Sequence, residues 1–251
     1  MQPSELEGFF EERFAEIRTY LELLEEVDRA SADGAPRLKR TDAKISPEQK
    51  RILNSSLYLQ LYNLVEATVS RCLDGVAAAV AADQMKPNEL APALRREWVR
   101  STARTHIVDL KPEKRLEAAL AMCEHLVGQL PIENFSIDPG GGGNWDDSAI
   151  EKLSNRFGCN LSISEDVSTA AKRHIRDDMG ALKLVKDRRN GLAHGSLSFV
   201  DCSDGVTVSE LQKTVEAVGD YLEEVVKSFA GFIQSGIKVG NSATGKVAAT
   251  V

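Results

Sequence analysis

Residues 46–84, SPEQKRILNSSLYLQLYNLVEATVSRCLDGVAAAVAADQ, decide the fold. Ser46 and Pro47 form a helix start: a hydroxyl at the N-cap, then a ring whose missing N–H costs nothing at the first helical position. Gln49 follows close behind. No second proline interrupts the pattern before Gln84. Ile52, Leu53, Leu57, Leu59, Leu61, Leu64, Val65, Thr68 and Val69 make an apolar surface wider than one stripe. A helix of this kind is touched by neighbours on several sides, so it is expected at the centre of a helical bundle.

Outward from this helix the chain keeps the same period. Upstream, Phe10, Phe14, Ile17, Leu21 and Leu24 recur at three- and four-residue steps with acids between them, an amphipathic helix over 4–29. SADGAP (31–36) ends it, and a basic linker follows with Arg37, Lys39, Arg40 and Lys44. Downstream, a basic helix is expected from Pro92 to Ile107. A further one, Pro112 to Leu130, carries Leu116, Ala119, Leu120, Cys123, Leu126 and Val127. Residues 131–164 are less regular. Asn134 to Asp138 read as a short strand or extended piece, PGGGGNW (139–145) as a loop, and Asp146 or Asp147 as the cap of a short helix to Phe157.

Residues 165–194 are mostly helical with a break expected near Gly180. A last long helix runs from Val208 to Gln234 with Leu211, Val215, Val218, Leu222, Val225, Val226 and Phe229 inward. From Gly236 the chain is small and polar, and a frayed tail is expected. The expectation is an all-α bundle with a partly irregular insertion around residues 131–164. Its parts are an acidic amphipathic helix (1–30), a basic linker (31–46), the bundle (47–235) and a flexible tail (236–251).

Composition agrees. The 251 residues are 42% hydrophobic and 27% charged, which excludes wholesale disorder, and only 6% aromatic, which disfavours a β sandwich. No apolar run approaches the roughly 18 residues needed to span a bilayer. The acidic start MQPSELEGFFEERF lacks the basic and apolar regions of a secretory signal, so a cytoplasmic protein without membrane contact is expected. Cys72, Cys123, Cys159 and Cys202 are scattered without a CxxC pair and read as free thiols in or near the core. The net charge of −7 resides entirely in residues 1–28, where nine acids face Arg13 and Arg18; the remainder is neutral. An anionic ligand is therefore not excluded, because clustered charge rather than net charge makes a local field.

Several motifs read as coincidence. Gly240 to Lys246 fits GxxxxGK, but Val247 stands where a Ser or Thr should meet magnesium, and no helix follows to face a phosphate. The Gly140–Gly143 run lacks the following lysine. Asp146-Asp147 and Asp177-Asp178 are adjacent pairs pointing about 100° apart on a helix, so neither chelates alone. No metal ligand set and no cofactor is expected. His125 reads as a partly buried residue of an amphipathic helix, and His174 as part of a solvated basic stretch. Tyr58 and Tyr62, one turn apart, read as core or interface aromatics, with base stacking as the alternative.

The informative stretch is Lys183-Leu-Val-Lys186-Asp-Arg188-Arg189-Asn190-Gly-Leu-Ala-His194-Gly195. Between Lys172 and Arg189, seven basic residues (Lys172, Arg173, Arg176, Lys183, Lys186, Arg188, Arg189) oppose three acids. Gly195 can break the helix beside His194, placing an imidazole that exchanges protons near neutral pH where it meets solvent and ligand. Arg188 or Arg189 supplies the permanent positive fork a phosphate needs. Lys183, Lys186, Arg173 and Arg176 are candidate contacts to a phosphate-bearing ligand, RNA in the reading that the resemblance described next implies. Glu66, on the central helix, is costly to bury unless paired, and Arg189 is a natural partner; an exposed edge is the other reading. Residues five apart on an uninterrupted helix point about 140° from each other, so Arg189 and His194 meet only through a departure from α geometry or a bridging ligand.

Arg189-Asn190-Gly191-Leu192-Ala193-His194 resembles the Arg-x(4–6)-His signature of the HEPN superfamily, with the polar residue after the arginine and a small residue before the histidine. Leu57-Tyr-Leu-Gln-Leu-Tyr62-Asn63-Leu-Val-Glu66-Ala-Thr68 is similar to the first core helix of bacterial toxin-like HEPN proteins. The resemblance covers roughly residues 47–235 in helix order. Spacing alone is weak: Arg100-Ser-Thr-Ala-Arg-Thr-His106 also fits Arg-x5-His but lacks the Asn and the Gly, and Arg188-x5-His194 is a permitted register. The resemblance implies a helical HEPN bundle and a metal-independent endoribonuclease of toxin or antiviral type, in which the RNA 2′-OH attacks the adjacent phosphate to leave a 2′,3′-cyclic phosphate. Its catalytic residues are Arg189, Asn190 and His194, supported by Glu66, Asn63 or Arg188. One chain offers a single motif histidine, so a homodimer with a composite cleft is expected. The alternative is a HEPN module that binds RNA or nucleotide without cutting, within a defence or toxin–antitoxin complex.

Overall fold

The structure, a computed structural model, describes residues 3–32, 34–38, 40–104, 107, 109–133, 135–140 and 144–239. Lys39, His106, Asn134, Gly141–Gly143 and the Gly240–Lys246 motif lie outside them. Among the described residues nine helices follow in order: α1 (Pro3–Ala32), α2 (Pro47–Ala82), α3 (Pro92–Thr102), α4 (Pro112–Val127), α5 (Asp147–Phe157), α6 (Glu165–Lys172), α7 (Ala181–Ala193), α8 (Phe199–Cys202) and α9 (Val208–Ser235). Pairing outside helices is limited to three isolated bridges, Arg37 with Lys44, Leu90 with Lys238 and Arg176 with Met179. The all-α architecture is as expected.

α2 and α9 start with the same device. Ser46 Oγ accepts from the Gln49 N–H at 3.2 Å while the Gln49 side chain accepts from the Ser46 N–H at 2.8 Å. Thr207 and Glu210 repeat the arrangement at the start of α9. Each box satisfies two backbone donors that a helix start would otherwise leave unpaired.

α1, α2 and α9 pack on one another. Leu6, Phe10, Phe14, Ile17, Leu21 and Leu24 of α1 are buried in the same cluster as Leu57, Leu61, Val65 and Val76 of α2 and Leu211, Val218, Leu222 and Phe229 of α9. The acidic first helix is thus one wall of the bundle, with its carboxylates on the outer face. The closest approach is at Gly219 of α9, where an added Cβ would sit 2.1 Å from the Phe14 ring. That ring is itself stacked on Phe10 at 5.5 Å and covered by the Arg18 guanidinium at 4.4 Å. α7 and α8 lie against α2. α8 is fixed where Ser55 Oγ donates to the Phe199 carbonyl at 2.5 Å and Ser203 Oγ donates to the Arg51 carbonyl at 2.7 Å.

Three features depart from the sequence reading. The four residues of α8 are too few to show a helical period. Residues 236–239 are docked rather than frayed: Ile237 is buried, its carbonyl accepts from the Ala91 N–H at 2.9 Å, and the Val239 N–H donates to Glu89. The buried Ile237 and the backbone pairing with residues 89–91 anchor it. Finally, α4 contributes no buried residue; Leu116, Leu120, Leu126 and Val127 are exposed, as is Cys123, while the other three cysteines are buried. Of the two readings for 134–138, residues 135–138 form no strand, and Ile132 and Ile137 on either side of Phe135 are buried. No described helix is long and apolar enough to cross a membrane.

The packing predicts opposite outcomes for two glycines of α9. Gly219→Val should destabilise the chain by about 2 kcal/mol through overpacking against Phe14. Gly231→Ala, where an added Cβ meets open space, should be neutral or stabilise it by up to about 1 kcal/mol. Urea denaturation of both variants checks the pair; equal effects would contradict the packing described.

Candidate functional site

The site is built around the last two turns of α7. Ala181, Leu182, Leu184 and Val185 bury the first half of this helix, which fixes its rotation and brings the 188–190 segment against α2. Arg188 and Arg189, adjacent in sequence, then diverge. Arg188 is largely buried and pairs with Asp177 in the turn between α6 and α7, a turn in which Asp177 and Asp178 both hold positive φ (51° and 56°). It is a structural brace. Arg189 instead lies over the ring of Tyr62 from α2, 4.1 Å from guanidinium carbon to centroid. Of the two, Arg189 is thus the one that reaches α2.

Three further contacts orient Arg189. One terminal nitrogen donates to Asn190 Oδ1 at 2.7 Å, and the other stands 3.6 Å from Glu66 Oε2. Asn190 Nδ2 in turn donates to Asn144 Oδ1 at 3.1 Å. Tyr62 is fully buried, and its hydroxyl accepts from the Trp145 N–H at 3.2 Å. Asp146, the N-cap of α5, accepts from the Ala149 N–H at 2.9 Å and pairs with Lys186 of α7. The segment 144–146 is thus joined to α2 once and to α7 twice. A planar guanidinium on an aromatic face with its edge hydrogen-bonded keeps a defined orientation while one quarter of the side chain remains exposed.

His194 caps α7. Its N–H donates to the Asn190 carbonyl at 3.0 Å, the imidazole is exposed, and Gly195 (φ 72°) turns the chain away. Helical geometry persists through Ala193, so no kink brings His194 round to Arg189. The two groups lie on one helix end in different directions, and a ligand that touches both must span them.

The other expected residues separate into two sets. Glu66 is paired with Arg189 yet 44% exposed, so both readings of it hold in part. Asn63 is exposed and lines a groove of about 230 Å³ between α1 and α2, with Phe9, Arg13 and Gln60, rather than joining Arg189. Lys183 and Arg173 are exposed. Lys186 is bound to Asp146, and Arg176 donates to Glu210 (3.0 Å) and to the Gly205 carbonyl (2.6 Å). Four of the seven basic residues counted in the sequence are therefore paired to carboxylates within the chain, which weakens the field expected from their number. Tyr58 and Tyr62 are both buried and neither offers a face to a base. The sequence reading missed Asn144 and the use of Tyr62 as the support of Arg189. The pairing of Tyr62 and Glu66 one turn apart on α2 was the available signal for the latter; nothing local marks Asn144.

The family model described as HEPN_MAE_28990-like HEPN matches residues 3–235. The chain belongs to the HEPN superfamily. The match spans α1 as well as the segment whose sequence resembles the family. No curated protein and no solved structure matches the chain. Among the described residues no group of three or more His, Cys, Asp or Glu side chains is placed to hold a metal ion.

Burial alone would push the Asp146 carboxyl up, but the Lys186 ammonium and the Ala149 N–H outweigh it and hold the group below its ordinary value of 3.8. A carboxylate depressed in the folded state contributes stability above its unfolded pKa and loses it as pH falls through the folded one. Acid unfolding of the wild type should therefore contain a contribution, lost progressively below about pH 4, that is missing from Asp146→Asn. Urea midpoints of the two proteins at several pH values check this; parallel curves would contradict it.

Proposed function

We propose that this HEPN chain is an endoribonuclease of the toxin or antiviral type whose chemistry is carried by His194 and Arg189 and needs no metal ion. The observation that carries the reading is the contrast at one helix end: a guanidinium held by Tyr62, Glu66 and Asn190, and an exposed imidazole five residues on. A fixed cation stabilises charge that develops on a phosphate without reorganising, and a solvent-facing imidazole takes or gives a proton. In the proposed reaction an imidazole removes the 2′-OH proton, and the 2′ oxygen bonds to the adjacent phosphorus. The bond to the 5′ oxygen breaks, and that oxygen takes a proton. The products are a 2′,3′-cyclic phosphate end and a 5′-hydroxyl end.

The reaction needs both a base and an acid, and one chain carries one motif histidine. A second copy related by a two-fold axis supplies the other His194 and a second Arg189 in a shared cleft. The divergence of the two side chains on a straight helix end supports this arrangement, because residues of two copies can converge where those of one do not. The paired state of Lys186, Arg176, Arg188 and Arg189 favours a second reading, a HEPN module of a defence or toxin–antitoxin complex that holds RNA or nucleotide weakly without cutting.

The test is incubation of the purified chain and its variants with total RNA in chelator, followed by analysis of product ends. Cleavage should persist with chelator and leave cyclic phosphates. His194→Ala should lower it by about 10² to 10⁴ without changing the thermal unfolding midpoint, and Arg189→Ala should weaken both RNA binding and turnover. RNA-dependent thermal stabilisation without cleavage would select the second reading, and full activity in His194→Ala would overturn the assignment.

A further inference from the structure

α4 is built like a core helix and placed like a surface one. Leu116, Leu120, Cys123 and Val127 follow one another at steps of four, three and four residues, the 3.5-residue period of a helix–helix seam. All four are exposed, Leu116 at 61% and Val127 at 85%. The opposite face of the helix holds it to the body: Met122 packs against the core, and His125 meets the Trp98 ring edge-on at 6.1 Å. The seam therefore points directly away from the bundle. A helix of this length without a buried residue draws little stability from propensity alone, so the stripe is a surface awaiting a partner.

Charge identifies the partner's chemistry. Glu113, Glu124 and Glu117 project within about 60° of Leu120 and form one edge of the seam, while the other edge holds Ala119 and Leu126. Lys114, 2.7 Å from Glu117, counters part of that edge from within the helix. A second copy of α4 pairing antiparallel would set glutamates on glutamates; pairing in parallel would set them against the apolar edge. Neither compensates the carboxylates. A helix with its own apolar stripe and lysines or arginines along the facing edge does.

We propose that α4 docks an amphipathic helix of a partner protein, seated on Leu116, Leu120, Cys123 and Val127 and oriented by basic side chains against Glu113, Glu117 and Glu124. This surface is independent of the Arg189–His194 site and of the reading given for it.

The probes are two labelled amphipathic peptides of about four turns with the same leucine seam, one flanked by lysines and one by glutamates. Like charges along each peptide's own flanks disfavour its self-pairing. Titrated with the full chain and followed by fluorescence anisotropy, the lysine peptide should bind at least about tenfold more tightly than the glutamate peptide, a gap that narrows as salt rises. Leu120→Glu, an exposed substitution whose unfolding midpoint should match the wild type, should abolish binding. Glu117→Lys combined with Glu124→Lys should reverse the preference, and His194→Ala should bind as the wild type does. Equal affinity for the two peptides, no binding of either, or binding that survives Leu120→Glu would overturn the proposal. So would a dimer, seen by sedimentation, that dissociates on Leu120→Glu, since it would assign the seam to a second copy.

Discussion

The guanidinium of Arg189 resting on the buried ring of Tyr62 is the contact on which the proposed site depends. Tyr62 sits on the most enclosed helix of the bundle, between Leu61 and Leu64, and has no freedom to move without disturbing the core. A charge placed on that ring inherits the rigidity of α2. Asn190 and Glu66 then restrict rotation in the ring plane, and Asn144 extends the restraint into the segment before α5. The stack contributes on the order of 1 kcal/mol. Its larger effect is to fix the direction of a cation at the surface, so that a ligand meets it already oriented.

The rest of the fold serves the placement of α7. Its buried first half sets the rotation of the helix, and Arg188 ties its second half to the turn that precedes it. Lys186 and Asp146 join it to the start of α5. With the Arg176–Glu210 and Arg189–Glu66 pairs, these take up four of the seven basic residues of the segment, which is why counting basic residues overstated its attraction for a polyanion. What remains for a ligand at the helix end is one partly exposed arginine and one exposed histidine. Their divergence on a regular helix is the observation from which the proposed two-fold arrangement is argued.

Much of the fold was legible because long helices declare themselves through their period. α2 began where Ser46-Pro47 placed it and α9 where its apolar repeat began, while the sequence left Asp146 and Asp147 as alternative caps and the structure uses Asp146. What stayed hidden depends on contacts between segments distant in sequence. Asn144 reaches Asn190 across 46 positions, and Ile237 docks through a backbone bond to Ala91; neither has a local signature. The side chains of Arg188 and Arg189 are indistinguishable in sequence and are sorted only by the rotation of α7. The same limit applies to α4, whose apolar repeat identifies a helix but not whether its stripe meets the body or the solvent. Asn63 shows the converse error: it follows Tyr62 directly in sequence, but adjacent helical positions differ by about 100° in direction, and Asn63 lines the groove between α1 and α2 instead.

The account stands on Arg189 and His194 acting on one phosphate as a single unit. A double-mutant cycle of RNA cleavage in the presence of chelator tests this most directly, with Arg189→Ala, His194→Ala and the combined variant measured under identical conditions. Residues that serve one transition state lose rate non-additively. The combined variant should therefore be no slower than the slower single one. Losses that multiply, each variant retaining its own fraction independently of the other, would contradict the account and separate the two residues into different sites.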